Sequence, residues 1–189
     1  NDAAVISGTS TGAVTEDDST MTTTGTLTHT DVDANNADNT FTAVSTGTAS
    51  ANGYGTYTVT AGGAWTYTLD NTNSTVTALA ASDTATDSFA VTAEDGTSQT
   101  ITVTITGAND KPTVVADAVT ISESDNATTS TVISVLSNDS DDEGTTLTVA
   151  SKTDGSNGTV TDNGDGTVSY TPNANFNGVD TFQYRATDG

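Results

Sequence analysis

The sequence has no cysteine, one histidine (His29), one tryptophan (Trp65) and only three bases, Lys111, Lys152 and Arg185, against 25 acids. Without cysteine there is no disulfide framework, thiolate zinc site or thiol nucleophile. With a formal charge of -22 the surface repels phosphate, and three scattered bases cannot neutralise a nucleic-acid backbone. Direct contact with an anionic membrane is excluded on the same ground. No apolar stretch approaches the roughly 20 residues that span a bilayer. Leu, Ile, Val and Phe together reach only about a sixth of the chain, which with so large a charge is the compositional mark of disorder. Threonine is what is abundant, at roughly a quarter of the residues. Excess carboxylate attracts cations. The 189 residues suit one large domain or two of about 100 each. The start at Asn1-Asp2 reads as that of an excised piece, with any targeting segment out of view.

Periodicity overrules the disorder reading. Apolar residues alternate with threonine in short runs. Tyr57 and Val59 form one such run; Trp65, Tyr67 and Leu69 share one face of the next. Phe89, Val91 and Ala93 follow, then Ile101, Val103 and Ile105, Leu147 with Val149, Val168 with Tyr170, and Phe182 with Tyr184 and Ala186. Threonine suits the outward positions, because its branched Cβ fits a pleated strand while its hydroxyl stays wet. Turns rich in Gly, Asn and Asp separate the runs: Ala51-Asn-Gly53, Ala61-Gly-Gly63 and Asn163-Gly-Asp-Gly166. No segment carries a 3.6-residue period. The expected fold is all-β, a pair of tandem sandwiches.

An internal repeat supports two copies of one module. Asn1-Asp2 matches Asn109-Asp110, and Asp31-Val-Asp33 matches Asp139-Ser-Asp141. Glu16 matches Glu123. Gly55, Gly63 and Tyr67 match Gly158, Gly166 and Tyr170; Asp87-Ser-Phe89 and Asp95-Gly96 match Asp180-Thr-Phe182 and Asp188-Gly189. The expected boundary divides residues 1-110 from 111-189.

Residues 8-110 resemble a VCBS-type repeat of giant bacterial surface adhesins. The resemblance rests on Thr15-Glu-Asp-Asp18, Gly25-Thr-Leu-Thr-His-Thr-Asp-Val-Asp33, Tyr54-Gly-Thr56, Gly63-Ala-Trp-Thr-Tyr-Thr-Leu-Asp-Asn71, Thr86-Asp-Ser-Phe89, Glu94-Asp-Gly96 and Ile105-Thr-Gly-Ala-Asn-Asp110. Residues 112-189 resemble bacterial cadherin-like or Ig-like modules, through Val135-Leu-Ser-Asn-Asp-Ser-Asp141, Gly158-Thr-Val160, Gly166-Thr-Val-Ser-Tyr-Thr-Pro172, Asn175-Phe-Asn-Gly178, Asp180-Thr-Phe182 and Ala186-Thr-Asp-Gly189. The resemblance implies Greek-key β-sandwiches in tandem arrays on secreted, calcium-stiffened adhesins, often of the repeats-in-toxin class.

Calcium takes six to eight hard oxygens. An EF-hand is excluded, because the twelfth positions of the loops starting at Asp139 and Asp31 are Ala150 and Thr42. No Gly-Gly-x-Gly-x-Asp nonapeptide occurs either. The cadherin-like resemblance implies a junction site. Its lower half falls on Glu16, Asp83, Asn109 and Asp110, and its upper half on Asp139, Asp141 and Asp188. Two departures weaken the match: only Asp83 stands where an acidic-basic-acidic triplet belongs, and Lys111 replaces a linker Asn. By the same pattern Asp2, Asp31, Asp33 and Asp95 face a preceding module, and Glu123 a following one. Asp17, Asp18, Asp38, Asp162 and Asp165 read as solvated turn residues.

The function expected is a calcium-rigidified extracellular spacer on a bacterial cell surface. It supports adhesion and biofilm formation, is monomeric, and has neighbouring modules of the same chain as partners. The alternative is a carbohydrate- or protein-binding module, for which Tyr54 and Tyr57 are the candidate exposed aromatics. Trp65, in phase with Tyr67 and Leu69, reads as core. Thr-x-Thr runs suggest an ice-binding face, but their spacing follows ordinary strand alternation. Catalysis is not expected, since no carboxylate pair stands out. Finally, the first copy continues past Asp95-Gly96 into the run Gln99–Thr106, whereas the second reaches only Asp188-Gly189. The second sandwich is therefore expected to lack its last strand and to present an open edge, or to pair there with a neighbouring chain.

Overall fold

The computed structural model describes residues 3–30, 32, 40–121 and 129–189. The chain divides into two compact units, Asn1–Asn109 and Asp110–Gly189. Both are built of strands, with no helix among the described residues.

The first unit contains β1 (Val5–Gly8), β2 (Thr11–Thr15), β3 (Thr22–Thr30), β4 (Val44–Ala49), β5 (Gly55–Val59), β6 (Ala64–Leu69), β7 (Thr84–Thr92) and β8 (Ser98–Thr106). They make a Greek-key sandwich of a five-stranded sheet, β1-β3-β6-β5-β4, on a three-stranded one, β2-β8-β7. All pairs are antiparallel except β2 with β8, which run parallel from Thr11↔Thr102 to Thr15↔Thr106. The threonine-spaced residues turn inward as the alternation requires: Trp65, Tyr67, Ile101, Val103 and Ile105 are each at most 1% exposed. Trp65 packs edge-on to Phe89 across the two sheets. Its indole lies flat over Gly25, where a Cβ would collide with the ring, and Nε1 donates to Thr9 O at 2.8 Å. The glycine is the complement of the tryptophan.

The second unit contains β9 (Thr131–Ile133), β10 (Thr148–Lys152), β11 (Gly158–Asp162), β12 (Val168–Pro172) and β13 (Tyr184–Thr187). Its sheets are β11-β12-β9 and the two-stranded β10-β13. Thr113 bridges Ser140 outside these strands. The core is smaller: Ile133, Val135, Val160, Val168 and Tyr170, with Leu136, Val149, Phe182 and Tyr184 packed partly buried against it. Among the described residues no strand takes the place that β8 holds in the first unit, and β13 is paired along one edge only.

Candidate functional site

The acidic loop between β9 and β10 is held by its own backbone and by β13. Asp139 accepts Val115 N–H on Oδ1 at 2.8 Å. Its Oδ2 faces the Tyr184 hydroxyl at 2.9 Å, and that hydroxyl also lies 2.8 Å from Val135 O. Burial, and then the neighbouring Asp139, push the Tyr184 phenol well above the ordinary tyrosine range. Asp139 thus pins the 113–115 segment and β13 onto the loop. Asp141 closes the next turn: its carbonyl accepts Gly144 N–H at 3.1 Å and Oδ1 accepts Thr145 N–H at 3.0 Å. Glu143 Oε1 accepts Asp110 N–H at 2.7 Å. The other oxygens, Asp141 Oδ2 and Glu143 Oε2, are buried and have no hydrogen-bond partner among the described residues. An anionic oxygen withdrawn from water without a donor is costly unless a cation meets it.

In the first unit, Glu16 follows β2 and is 2% exposed. Its N–H donates to Thr106 O at 3.1 Å and Oε1 accepts Ala108 N–H at 2.8 Å. Gly107 N–H donates to Asp83 O at 2.9 Å. The fold therefore brings Glu16, the Asp83 backbone and residues 106–108, just before Asn109, to one end of the unit; the Asp83 side chain is exposed. Asp95 is engaged within its unit. Its Oδ2 accepts Ala4 N–H at 2.7 Å and Thr97 Oγ1 at 2.7 Å, while Oδ1 accepts Thr97 N–H at 2.8 Å. These bonds, that from Ala4 first, hold its carboxyl below the usual range. Asp188, half-buried after β13, lies 3.5 Å from Thr187 Oγ1. Asp2, Asp31, Asp33 and Glu123, like Asp38, lie outside the described residues. Among the described residues, no three Asp, Glu or His side chains stand close enough to hold a metal ion as they are. The donor chemistry suits calcium, but the described carboxylates are not gathered into a cage.

Two further acids carry structure. Asp87 is 1% exposed at the centre of the first unit. It accepts Tyr67 OH at 2.9 Å, Asn52 N–H at 3.0 Å, Tyr54 N–H at 3.2 Å, Ser88 N–H at 2.8 Å, and the Ser50 hydroxyl. Asp180 repeats the arrangement in the second unit, with Tyr170 OH at 2.8 Å, Asn157 N–H at 2.9 Å, Ser156 N–H at 3.0 Å and Thr181 N–H at 3.0 Å. In each case the tyrosine ring lies over a glycine: a Cβ on Gly55 would sit 2.6 Å from Tyr67 Cζ, and one on Gly158 2.5 Å from Tyr170 Cζ. Gly, Tyr and Asp are the repeat's shared anchor. The matched triplets Gly55/Tyr67/Asp87 and Gly158/Tyr170/Asp180 were the available signal, and Asp87 sits in the inward phase of Phe89. Glu143, by contrast, is marked by no repeat match in the sequence.

The other side-chain expectations have plain outcomes. Tyr57 stacks on Phe89 with centroids 4.3 Å apart, so it is not an outward platform. His29 packs edge-on to Phe41 at 4.9 Å. Asp162 and Asp165 are exposed and cap their own turn through Gly164 and Thr167 N–H.

Residues 1–107 match the model of the bacterial cadherin-like domain. The chain belongs to that family. Residues 108–189 match a second model, that of the cadherin-like domain. Among solved structures, one titled protocadherin gammaB7 EC3-6 cis-dimer is similar with a TM-score of 0.48 and 12% identity, over 98% of this chain and 47% of that one. This chain thus spans less than half of that structure. No curated protein matches the sequence. Cadherin-like domains are adhesion-type modules of the extracellular kind, typically without enzymatic activity.

Proposed function

We propose that these cadherin-like modules are spacers, stiffened by calcium, in a bacterial cell-surface adhesin of the VCBS and repeats-in-toxin kind, and that they serve attachment and biofilm growth. The observation that carries this reading is the pair of buried carboxylate oxygens without donors, Asp141 Oδ2 and Glu143 Oε2, on a loop tied to Asp110. Cadherin-like domains usually bind calcium, and hard anionic oxygens are what it selects. In the second unit Asp141 and Glu143 would hold the ion, with Asp110, Asp139 and Asp188 as further oxygen donors. In the first, Glu16, Asp83 and Asn109 are the corresponding group. Asp2, Asp31, Asp33, Asp95 and Glu123 complete the proposed set, toward flanking modules. Bound calcium supplies charge neutralisation. The chain's own residues do the rest: Tyr184 and Val115 fix Asp139, while the Asp141 turn and the bond from Asp110 N–H to Glu143 fix the loop.

On a chain of charge -22, each ion removes two units of like-charge repulsion where carboxylates crowd most closely. Binding to the native state alone adds about 2.7 kcal/mol per site at a hundred times the dissociation constant. Melting and small-angle scattering, each with millimolar calcium and with chelator, test this. Calcium is expected to raise the melting temperature and narrow the distribution of particle lengths. Asp141→Asn with Glu143→Gln is expected to remove most of the second unit's response while the first still melts cooperatively. Identical melting and scattering in both conditions would leave the acids as solubilising charge only.

A further inference from the structure

Four Asn-Gly pairs occur in the sequence, at 52–53, 157–158, 163–164 and 177–178. Such a pair is able to close on itself, because the glycine carries no Cβ to keep its nitrogen away from the asparagine Cγ and its backbone turns freely. Closure needs a side-chain amide free to rotate and a glycine N–H that is not already donated. Three of the pairs lack that freedom. Asn52 donates from Nδ2 to Thr86 O at 2.8 Å, and Gly53 N–H donates to Ser50 O at 3.2 Å. Asn163 is held at both ends of its amide: Nδ2 donates to Thr167 Oγ1 at 2.8 Å and Oδ1 accepts Ser169 Oγ at 2.9 Å. Gly164 N–H donates to Asp162 Oδ1 at 2.9 Å. Asn157 is fixed through its main chain, its N–H donating to Asp180 Oδ2 at 2.9 Å and its carbonyl accepting Asn173 N–H at 2.7 Å. Gly158 is buried beneath the Tyr170 ring at the start of β11.

The fourth pair is built differently. Asn177, Gly178 and Val179 are all exposed, Val179 to 89%. None of the three makes a hydrogen bond among the described residues. They span two fastened points: Phe176 N–H donates to Asn173 O at 3.1 Å before them, and Asp180 gathers Tyr170, Asn157 and Ser156 after them. Gly178 sits at φ 137°, and a Cβ there would meet only the Phe176 ring, at 3.5 Å or more. We infer that Asn177-Gly178 is a self-modification site, at which the folded protein converts the asparagine to isoaspartate and aspartate without an enzyme. The Gly178 nitrogen bonds to Asn177 Cγ, the Cγ–Nδ2 bond breaks, and Nδ2 departs as ammonia with the Gly178 proton. Water then opens the cyclic imide at one of its two carbonyls. Attack at the former Cγ leaves aspartate; attack at the main-chain carbonyl leaves isoaspartate, whose backbone runs through the former side chain. Either product adds a carboxylate close to Asp180 on a chain already at -22. Isoaspartate also lengthens the segment between its two fastened points by one methylene.

The test incubates residues 1–189 at mildly alkaline pH, in buffer and in urea. Each Asn-Gly peptide is followed by the mass gain of amide-to-acid exchange and by isoaspartyl methyl transfer. An Asp-Gly turn that isomerises gains no mass, so the two readings together separate it from deamidation. In buffer Asn177 is expected to convert about tenfold or more faster than Asn52, Asn157 and Asn163, because those three react only after their bonds open. In urea the four rates are expected to converge. Asn177→Gln keeps the amide but would have to close a larger ring, and is expected to remove the signal while circular dichroism shows the fold unchanged. Equal rates at the four pairs in buffer would overturn the inference, as would a lead for Asn163. So would a lead for Asn177 that persists unchanged in urea, since the neighbouring sequence and not the fold would then set the rate.

Discussion

At the scale of single residues, the decisive groups are two aspartates, one in each unit. Asp87 and Asp180 each gather a tyrosine hydroxyl and several backbone N–H groups, and so fasten the β4–β5 and β10–β11 connections to β7 and to the segment before β13. Tyr67→Phe removes one donor from an aspartate that is 1% exposed. It is expected to cost about 1–3 kcal/mol, measured by urea unfolding. Titration supplies a second check. Burial raises the Asp180 carboxyl, but the bonds from Asn157, Tyr170, Thr181 and Ser156 outweigh it and hold it below its ordinary value. A carboxyl held low in the fold contributes stability above its unfolded pKa of about 3.9 and loses it as the pH falls through the folded value. Acid unfolding of the second unit is therefore expected to begin below about pH 4, and Asp180→Asn to flatten that limb. On the alkaline side Tyr170 is pushed up to about 12, by burial first and then by Asp180. Its contribution is complete below an ordinary tyrosine pKa of about 10 and is lost as the pH rises from there toward 12. Tyr170→Phe is expected to remove that alkaline limb, as circular dichroism across pH 9.5–12.5 would show.

At the scale of elements, legibility followed the alternation. β5 to β8 carry a two-residue period, and their inward residues, from Val59 to Ile105, make up most of the first unit's core. The period also makes a prediction within β8. Ile101→Ala should cost about 2–5 kcal/mol, whereas Thr102→Val next to it, on the exposed face, should stay within about 0.5 kcal/mol. Equal costs in chemical denaturation would mean that the faces are misassigned. Residues 111–121 carry no such period. Val114, Val115 and Val119 stay about half exposed, and among the described residues the only pairing there is the bridge from Thr113 to Ser140. The acidic groups were partly legible. Asp139 and Asp141 announced themselves by spacing, but only the folded chain shows that Asp139 is occupied by Val115 and Tyr184 while Glu143 holds Asp110. Such contacts join residues 24 to 45 positions apart, and no local pattern encodes them. Gly25 is one letter of the Gly25–Asp33 motif in the sequence, and its physical reason is the indole of Trp65, forty residues on.

At the scale of the whole molecule, the two units hold unequal cores. Among the described residues fifteen buried side chains make the first cluster and five the second. Calorimetry is expected to resolve two transitions, the lower one belonging to residues 110–189, because burial of apolar surface is the main favourable term and the second unit has less of it. Raised monovalent salt should lift both transitions by screening the -22 charge, and far less efficiently per ion than calcium.

The parallel pairing of β2 with β8 has a consequence for load. β2 lies near the start of the first unit and β8 near its end, and five residue pairs join them in one direction. When the unit is pulled from its two ends, one strand is drawn past the other along its length, so all the hydrogen bonds between them are strained together. An antiparallel hairpin such as β7–β8, pulled open from its free ends, would give way one bond at a time. The first unit is thus wired to resist tension in shear, like a lap joint rather than a zip. The second unit's described strands pair antiparallel throughout.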